Sequence, residues 1–327
     1  MRTDERAGRL LPAYLLTIFV LVTLNFALPR AMPGDPITAA YTEGSTSYVH
    51  DEAIRERLRA HYGLDQPLPV QYGQYLTGLL RGDLGTSIRY GVPVTELLTT
   101  RAPRTGLLVS TALVAGTLLG VAAGAAAGWR RGRRVDHALL AGFTLLRSIP
   151  VFVLGSLLLL VFAVRLGWFP IAGASTPFAS LGPVARTVDI AHHLALPATV
   201  LALQFAAGQF LVMRAGMVSE LGADYLLAGR ARGLRERTLR YRYAGRNALL
   251  PVVSVLAVQV GTAVTATILV ETVFRYEGVG RLVFDAIRFR DYPTLQGCFL
   301  LLTLSVVTAN ALAELAYRRL DPRVAAA

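Results

Sequence analysis

The chain has no lysine: all 33 of its basic side chains, in 327 residues, are arginine. The phosphate-binding loop of ATPases needs a lysine at the phosphates, and Schiff-base chemistry needs a primary amine. Both are therefore excluded. Cysteine is almost as scarce. Cys298 stands alone in an apolar run, so no intrachain disulfide can form and a packing role is expected. Charge is thin as well, at 17 % against about 25 % for an ordinary soluble protein. No HExxH zinc signature and no Ser/His/Asp set stands out. His192 and His193 are adjacent, so they do not share a helix face. Neither a catalytic nor a metal site is expected, and the chain does not read as an enzyme.

Hydrocarbon fills the space that charge leaves, with 54 % of residues hydrophobic. A membrane-crossing helix needs about 20 predominantly apolar residues. Six stretches qualify: 10–28, 105–129, 138–164 (interrupted by Pro150), 193–213, 249–274 and 295–317. Arg2, Arg6 and Arg9 precede the first, as in a signal peptide. Its apolar run exceeds the usual 7–15 residues of such a peptide, and no small-x-small cleavage site follows, so a retained anchor is expected. The expectation is an all-α polytopic membrane protein of six transmembrane helices.

Arginine placement orients it. With the N-terminus inside, segments 1–9, 130–137, 214–247 and 318–327 lie inside and hold 18 Arg and 7 acids. The outside segments 30–101, 166–190 and 275–294 hold 12 of each. The positive-inside rule then predicts N-in and C-in. The +12 balance is a topology signal and requires no nucleic acid. The predicted organisation is a tail and first span (1–30), an extracytoplasmic segment (31–104), a five-helix core (105–317) with an inner loop at 214–247, and a cytoplasmic tail (318–327).

Two polar insertions stand out. In the outer one, MPGDP breaks the first helix, because Pro33 and Pro36 cannot donate backbone hydrogen bonds. DEAIRERLRAHYG reads as an amphipathic helix closed by Gly63, and QYGQYLTGLLRG as a second. This insertion could be a cap packed on the spans or a docking surface for an external delivery protein. Asp65, Arg81 and Asp83 are its candidate contact charges. The inner insertion, 214–247, is strongly basic. A helix is predicted from Glu220 to Arg232, with Leu221, Tyr225 and Ala228 along one face and Gly233 as its stop. A second helical stretch leads to Pro251. Such a peg suits a groove on another protein, and the plain alternative is a charged loop that sets topology. Two charges fall within or beside predicted spans. Arg147 is a candidate for the pathway or a subunit interface, and so is Glu271 at the outer end of the fifth span.

Asp224, Tyr225, Arg230, Ala231, Gly233 and Leu234, followed by Arg246, Asn247, Ala248, Leu249 and Pro251, resemble the cytoplasmic signature of ABC-importer permease subunits. The match is to the dipeptide/oligopeptide/nickel branch. Gly229 stands where that branch usually has Ala, Leu227 where a charge is common, and Arg232 replaces Lys. MPGDP, the run 63–98, SIPVFVLG and ETVFRYEGVGRLVFDAIRFRDYP are similar to the same branch. The resemblance implies a type I importer permease fold in the inner membrane and half of a pathway for peptides or a related small solute, with nickel chelates as an alternative. It implies a second permease subunit, usually a different chain, two ABC ATPase subunits that use ATP and Mg, and an extracytoplasmic binding protein. No cofactor is expected on this chain. The resemblance also makes Asp224, Tyr225, Ala228, Gly229, Arg230, Ala231, Gly233 and Leu234 an ATPase-coupling loop. Two other readings compete. A secondary transporter or channel would favour inverted repeats and buried ionisable groups within spans, and only Arg147 is deep. A membrane-embedded enzyme would need a catalytic constellation.

Overall fold

The computed structural model describes residues 16, 19–41 and 52–320. Helices dominate them: α1 (Phe19–Ala31), then α2 (Pro36–Tyr41), α3 (Glu52–His61), α4 (Leu68–Leu80), α5 (Val94–Trp129), α6 (Arg134–Ser148) and α7 (Val151–Leu158). A π-helical turn, Leu159–Arg165, extends α7. Next come α8 (Pro183–Glu220), α9 (Asp224–Ala231), α10 (Glu236–Thr238), a second π segment (Leu239–Ala244) and α11 (Gly245–Ala248). The chain continues through α12 (Leu250–Val273), α13 (Val279–Arg288) and α14 (Tyr292–Leu320).

Among the described residues, α5, α8 and the stretch Tyr292–Ala309 of α14 are each long and apolar enough to cross a bilayer. The number rises to five if two bent pairs, α6 with extended α7 and Glu236–Ala248 with Leu250–Ala263, each count as one span. The first half of the expected span 10–28 lies outside the described residues. The third expected span is not one interrupted helix. α6 and α7 meet at 100°, because Pro150 holds Ile149 extended (φ −81°, ψ 123°) and itself starts α7. Helix ends also run past the apolar windows. α5 starts eleven residues before 105, since a helix leaving hydrocarbon needs no apolar residues to continue in water.

By packing, the described residues form two units: those to Ala102 with Leu282–Leu304, and Pro103–Arg281 with those from Ser305 to Leu320. The second unit is built on α8, whose apolar window is 67 % buried. Gly116, Gly120, Gly124 and Gly128 of α5 line one helix face at four-residue spacing. A Cβ on them would stand 2.6 Å from Ala202 O, 2.5 Å from Ala206 O, 2.7 Å from Phe210 O and 2.5 Å from Met217 Cβ. Only glycine lets the two backbones approach so closely, the usual route to tight helix association in lipid. Phe143 of α6 stacks on Phe210 at 4.4 Å. Buried Asp136 takes a bidentate contact from Arg214, at 2.6 and 2.9 Å, and the Gly132 N–H at 3.0 Å.

The first unit has a small apolar centre of Ile37 and Ile88 with Leu58, Tyr62 and Leu64. Its main tie is polar. Asp291, just before α14, is buried. It accepts from the Ser87 hydroxyl, the Ile88 and Arg89 N–H groups at 3.1 and 3.3 Å, and Thr294 through N–H and hydroxyl at 3.3 and 2.8 Å. One carboxylate thus caps α14 and pins the turn at 86–93.

Candidate functional site

The arginine-rich insertion is a folded miniature. The helix expected from Glu220 is shorter, because Glu220 ends α8 and the turn Leu221–Gly222–Ala223 separates it from α9. α9 therefore begins at Asp224, where a carboxylate suits the positive end of the helix. Its inward face is not Leu221, Tyr225 and Ala228. Leu226 and Gly229 are buried and Tyr225 half-buried, whereas Asp224, Leu227, Ala228 and Ala231 are exposed. These four lie at i, i+3, i+4 and i+7, so they form one outward stripe of small side chains around Leu227.

The stop is a Schellman turn. Gly233 N–H donates to Arg230 O at 2.9 Å and Leu234 N–H to Gly229 O at 3.1 Å. Gly233 holds φ +75°, a conformation that glycine adopts without a Cβ penalty. Under α9, Leu226 and Leu239 are fully buried with Ala244, Ala248, Met213 and Met217. A Cβ at Gly229 would stand 2.6 Å from the Leu239 tip, which explains the glycine in a position where a small residue is needed. The π segment brings Leu239 under the helix and turns Tyr243 onto Tyr225, their rings 6.5 Å apart.

The two ends of the motif meet. Tyr225 OH donates to Glu220, and the Asn247 amide donates to Tyr225 OH at 3.2 Å and Glu220 at 3.3 Å. Burial, then the neighbouring Glu220, push the Tyr225 phenol up to about 12, so it stays a neutral donor. Arg230 pairs with Glu236 at 3.0 Å. The loop is thus tied to the end of α8 and to α11, which leads into α12.

The other candidates are not gathered around one centre. Arg147 is exposed in the last turn of α6, just before the bend. Glu271 is fully buried. It accepts from the Thr105 hydroxyl at 2.7 Å and the Arg281 N–H at 2.9 Å, and Thr105 Oγ1 in turn receives the Val279 N–H at 2.8 Å. Glu271 and Thr105 together occupy the N-terminus of α13. Asp65, Arg81 and Asp83 are exposed, and Asp83 accepts the Gly85 N–H at 2.9 Å. His193 lies 3.4 Å from Asp189, and His192 Nε2 meets Trp168 O at 2.8 Å. Sequence reasoning passed over Asp291, Asn247 as a tie and Leu239 as the loop's floor. The only signal for the first was a carboxylate one residue before a helix.

A family model described as "Binding-protein-dependent transport system inner membrane component" matches residues 116–326. The chain is 33 % identical to the oligopeptide transport system permease protein AppB of Bacillus subtilis, over 93 % of this chain and 94 % of the relative. Identity is 34 % to the glutathione transport system permease protein GsiC of Pectobacterium atrosepticum, over 94 % of each. It is 32 % to the dipeptide transport system permease protein DppB of Escherichia coli, over 98 % and 97 %.

Proposed function

The chain belongs to the binding-protein-dependent transport system inner membrane components, and from that premise we propose that it forms half of an ATP-driven import pathway for small peptides. Dipeptides, oligopeptides and glutathione, the cargoes named for its relatives, share a peptide backbone with a free terminus. That common chemistry supports a peptide as substrate.

The observation that carries the mechanism is the exposed stripe of α9, backed by a buried apolar floor. Asp224, Leu227, Ala228 and Ala231 enter a cleft on an ATPase subunit, and Gly233 ends the helix without bulk. Buried Leu226 and Leu239, with the Tyr225–Asn247–Glu220 contacts, transmit movement of that peg to α8 and α12. When ATP binding closes the ATPase pair, the two spans are pulled with it, and the pathway changes from inward-facing to outward-facing. The arginine balance supports placing this loop and both termini in the cytoplasm. The six apolar stretches of the sequence are taken as its six spans. A second permease chain, different from this one, completes the pathway. Two ATPase subunits supply the lysine-bearing phosphate loops that this chain lacks, and they bind the ATP and Mg. Outside, Asp65, Arg81 and Asp83 meet an extracytoplasmic binding protein. Arg147, exposed at a sharp bend, faces the pathway or the partner permease.

The test is assembly. A tagged chain should bring down an ABC ATPase, and peptide uptake should need ATP. A chain that takes up peptide without an ATPase would overturn the reading. Orientation is checked in a Cys298→Ala background: an impermeant thiol reagent applied to intact cells should label Thr77→Cys and miss Ser219→Cys. Labelling of the second would invert the topology.

A further inference from the structure

The arginine-rich end of the second unit holds a cleft of about 740 Å³, lined by Trp129, Arg130, Arg133, Leu221, Arg230, Glu236, Arg237, Arg240 and Tyr241. Five guanidinium groups thus face one carboxylate, and that carboxylate is engaged by Arg230 at 3.0 Å. Arg240 Nε is buried and has no hydrogen-bond partner among the described residues. Guanidinium groups present planar, paired donors that match phosphate oxygens, and such a cluster is strained by mutual repulsion until an anion enters.

Position indicates which anion. Trp129 ends both α5 and the apolar stretch 105–129, whereas Leu221 follows α8 about 12 Å beyond the stretch 193–213, so only the Trp129 wall of the cleft stands at the expected hydrocarbon edge. Trp and Tyr favour that depth, and Trp129 and Tyr241 both line the cleft. The headgroup layer of a bilayer begins at that edge, and basic pockets beside it attract acidic lipid. Each aromatic also carries a guanidinium over its ring, Arg230 over Trp129 at 5.9 Å and Arg240 over Tyr241 at 4.7 Å.

We propose that this cleft binds the phosphodiester headgroup of an acidic phospholipid of the surrounding membrane. The headgroup accepts from Arg133, Arg237 and Arg240, with the glycerol backbone against Trp129. Because Arg230 belongs to α9 and Arg240 to the segment beneath it, a bound lipid cross-links the end of α5 to the loop and stiffens the peg. Lipid binding does not depend on the peptide cargo, and its effect on the peg rests on the ATPase-docking reading above.

The experiment uses the full chain assembled with its partner subunits in nanodiscs of phosphatidylcholine doped with phosphatidylglycerol. Retained lipids are counted by native mass spectrometry. The unsubstituted complex should retain phosphatidylglycerol over phosphatidylcholine, and Arg133→Gln/Arg237→Gln/Arg240→Gln should lower that preference on the order of 100-fold. Arg131→Gln/Arg235→Gln/Arg242→Gln removes equal charge outside the cleft and should leave it within about threefold, given a surface charge's small share. Inorganic phosphate added at equal concentration should not displace the lipid. Three results would overturn the proposal: retention unchanged in the first variant, equal loss in both variants, or displacement by inorganic phosphate, which would make this a free-phosphate site. Loss of ATPase association with lipid retention intact would also overturn it, because the arginines would then serve acidic side chains of that subunit. Should the triple variant fail to assemble, Arg240→Gln alone is read in the same way. Its preference should fall about fivefold, and Arg240→Lys should recover part of it.

Discussion

The basic loop after α8 and the polar segment before α5, the expected outer segment, are both insertions in an apolar chain, yet they differ in what chiefly holds them. The loop rests on carbon: Leu226 and Leu239 are fully buried, while seven arginines stand between Asp224 and Asn247. The outer segment rests on a carboxylate, since Asp291 gathers the Ser87 hydroxyl, two backbone N–H groups of the turn and Thr294. Where the core is apolar, surface charge remains available to a partner. Where a buried charge makes the fold, charge is consumed inside. A basic loop of this kind therefore reads as an interface, whereas a charge-balanced segment has to be tested residue by residue.

The strongest way to break the comparison is to remove the carboxylate. Asp291→Ala leaves several buried donors unpaired, each costing about 1–3 kcal/mol. The first unit should lose at least about 3 kcal/mol, seen as rapid proteolysis within 86–93, while the loop stays protected. Asp291→Asn keeps some acceptors and should be milder. If Asp291→Ala left proteolysis unchanged, the outer segment would have to be held by its apolar centre after all.

The reciprocal change is Leu239→Ala. It opens a cavity under α9 and should cost about 2–5 kcal/mol, confined to the loop. Subunit assembly and binding-protein contact should persist, and ATP hydrolysis should become uncoupled from uptake. Loss of outer-segment protection in this variant would contradict the separation of the two regions.

Much of this division was legible in advance. Apolar runs marked α5, α8, α12 and α14, and arginine density marked the loop. Gly233 marked the helix stop, because a positive φ falls most cheaply on glycine. The unread parts share a cause, namely partners distant in sequence. Glu271 stands 166 residues from Thr105, and Asp291 stands 204 from Ser87. No local pattern tells a capping carboxylate from a solvated one. The start of α9 was misplaced because helical periodicity continues through Leu221, while Gly222 and the extended Ala223 end one helix and begin another. Pro150 was visible, but the 100° bend was not, since proline within a span more often kinks than breaks a helix.

Gly233→Asp sharpens the comparison on the loop's side. Among the described residues, none beyond its two chain neighbours comes within 4 Å of a Cβ built there, so the cost within the subunit is the positive φ, about 1 kcal/mol, and Asp tolerates that region better than most residues. The variant should insert and fold normally. Transport should nonetheless fail, because the side chain and its charge meet the ATPase. Normal uptake would remove Gly233 from the contact. Tyr225→Phe is the gentler counterpart. It loses the hydrogen bonds to Glu220 and Asn247, about 1 kcal/mol in all, and should slow coupled hydrolysis severalfold. With the phenol held up to about 12 by burial and Glu220, it is protonated throughout the range from pH 6 to 9. The wild-type-to-variant ratio should therefore be flat there, as a pH-rate series would check.

The smallest expected effect tests whether the outer segment has any charge to spare. Arg81 and Asp83 are exposed, so reversing both should alter the segment's stability by no more than about 0.5 kcal/mol. Asp83 accepts the Gly85 N–H, an interaction that arginine cannot replace, so most of that change comes from position 83. If the pair meets a binding protein at the rim of a contact, reversal should change the rate and salt dependence of docking more than final affinity. The measurement is ATPase activity stimulated by a titrated binding protein at two ionic strengths. Basal activity should hold, the concentration for half-stimulation should rise a few-fold at low salt, and the difference should shrink at high salt. Stimulation that is unchanged at both salt concentrations would assign the two charges to the segment's own folding. Of the three candidate contact charges only Asp65 would then remain for a partner, in contrast with the many arginines of the loop.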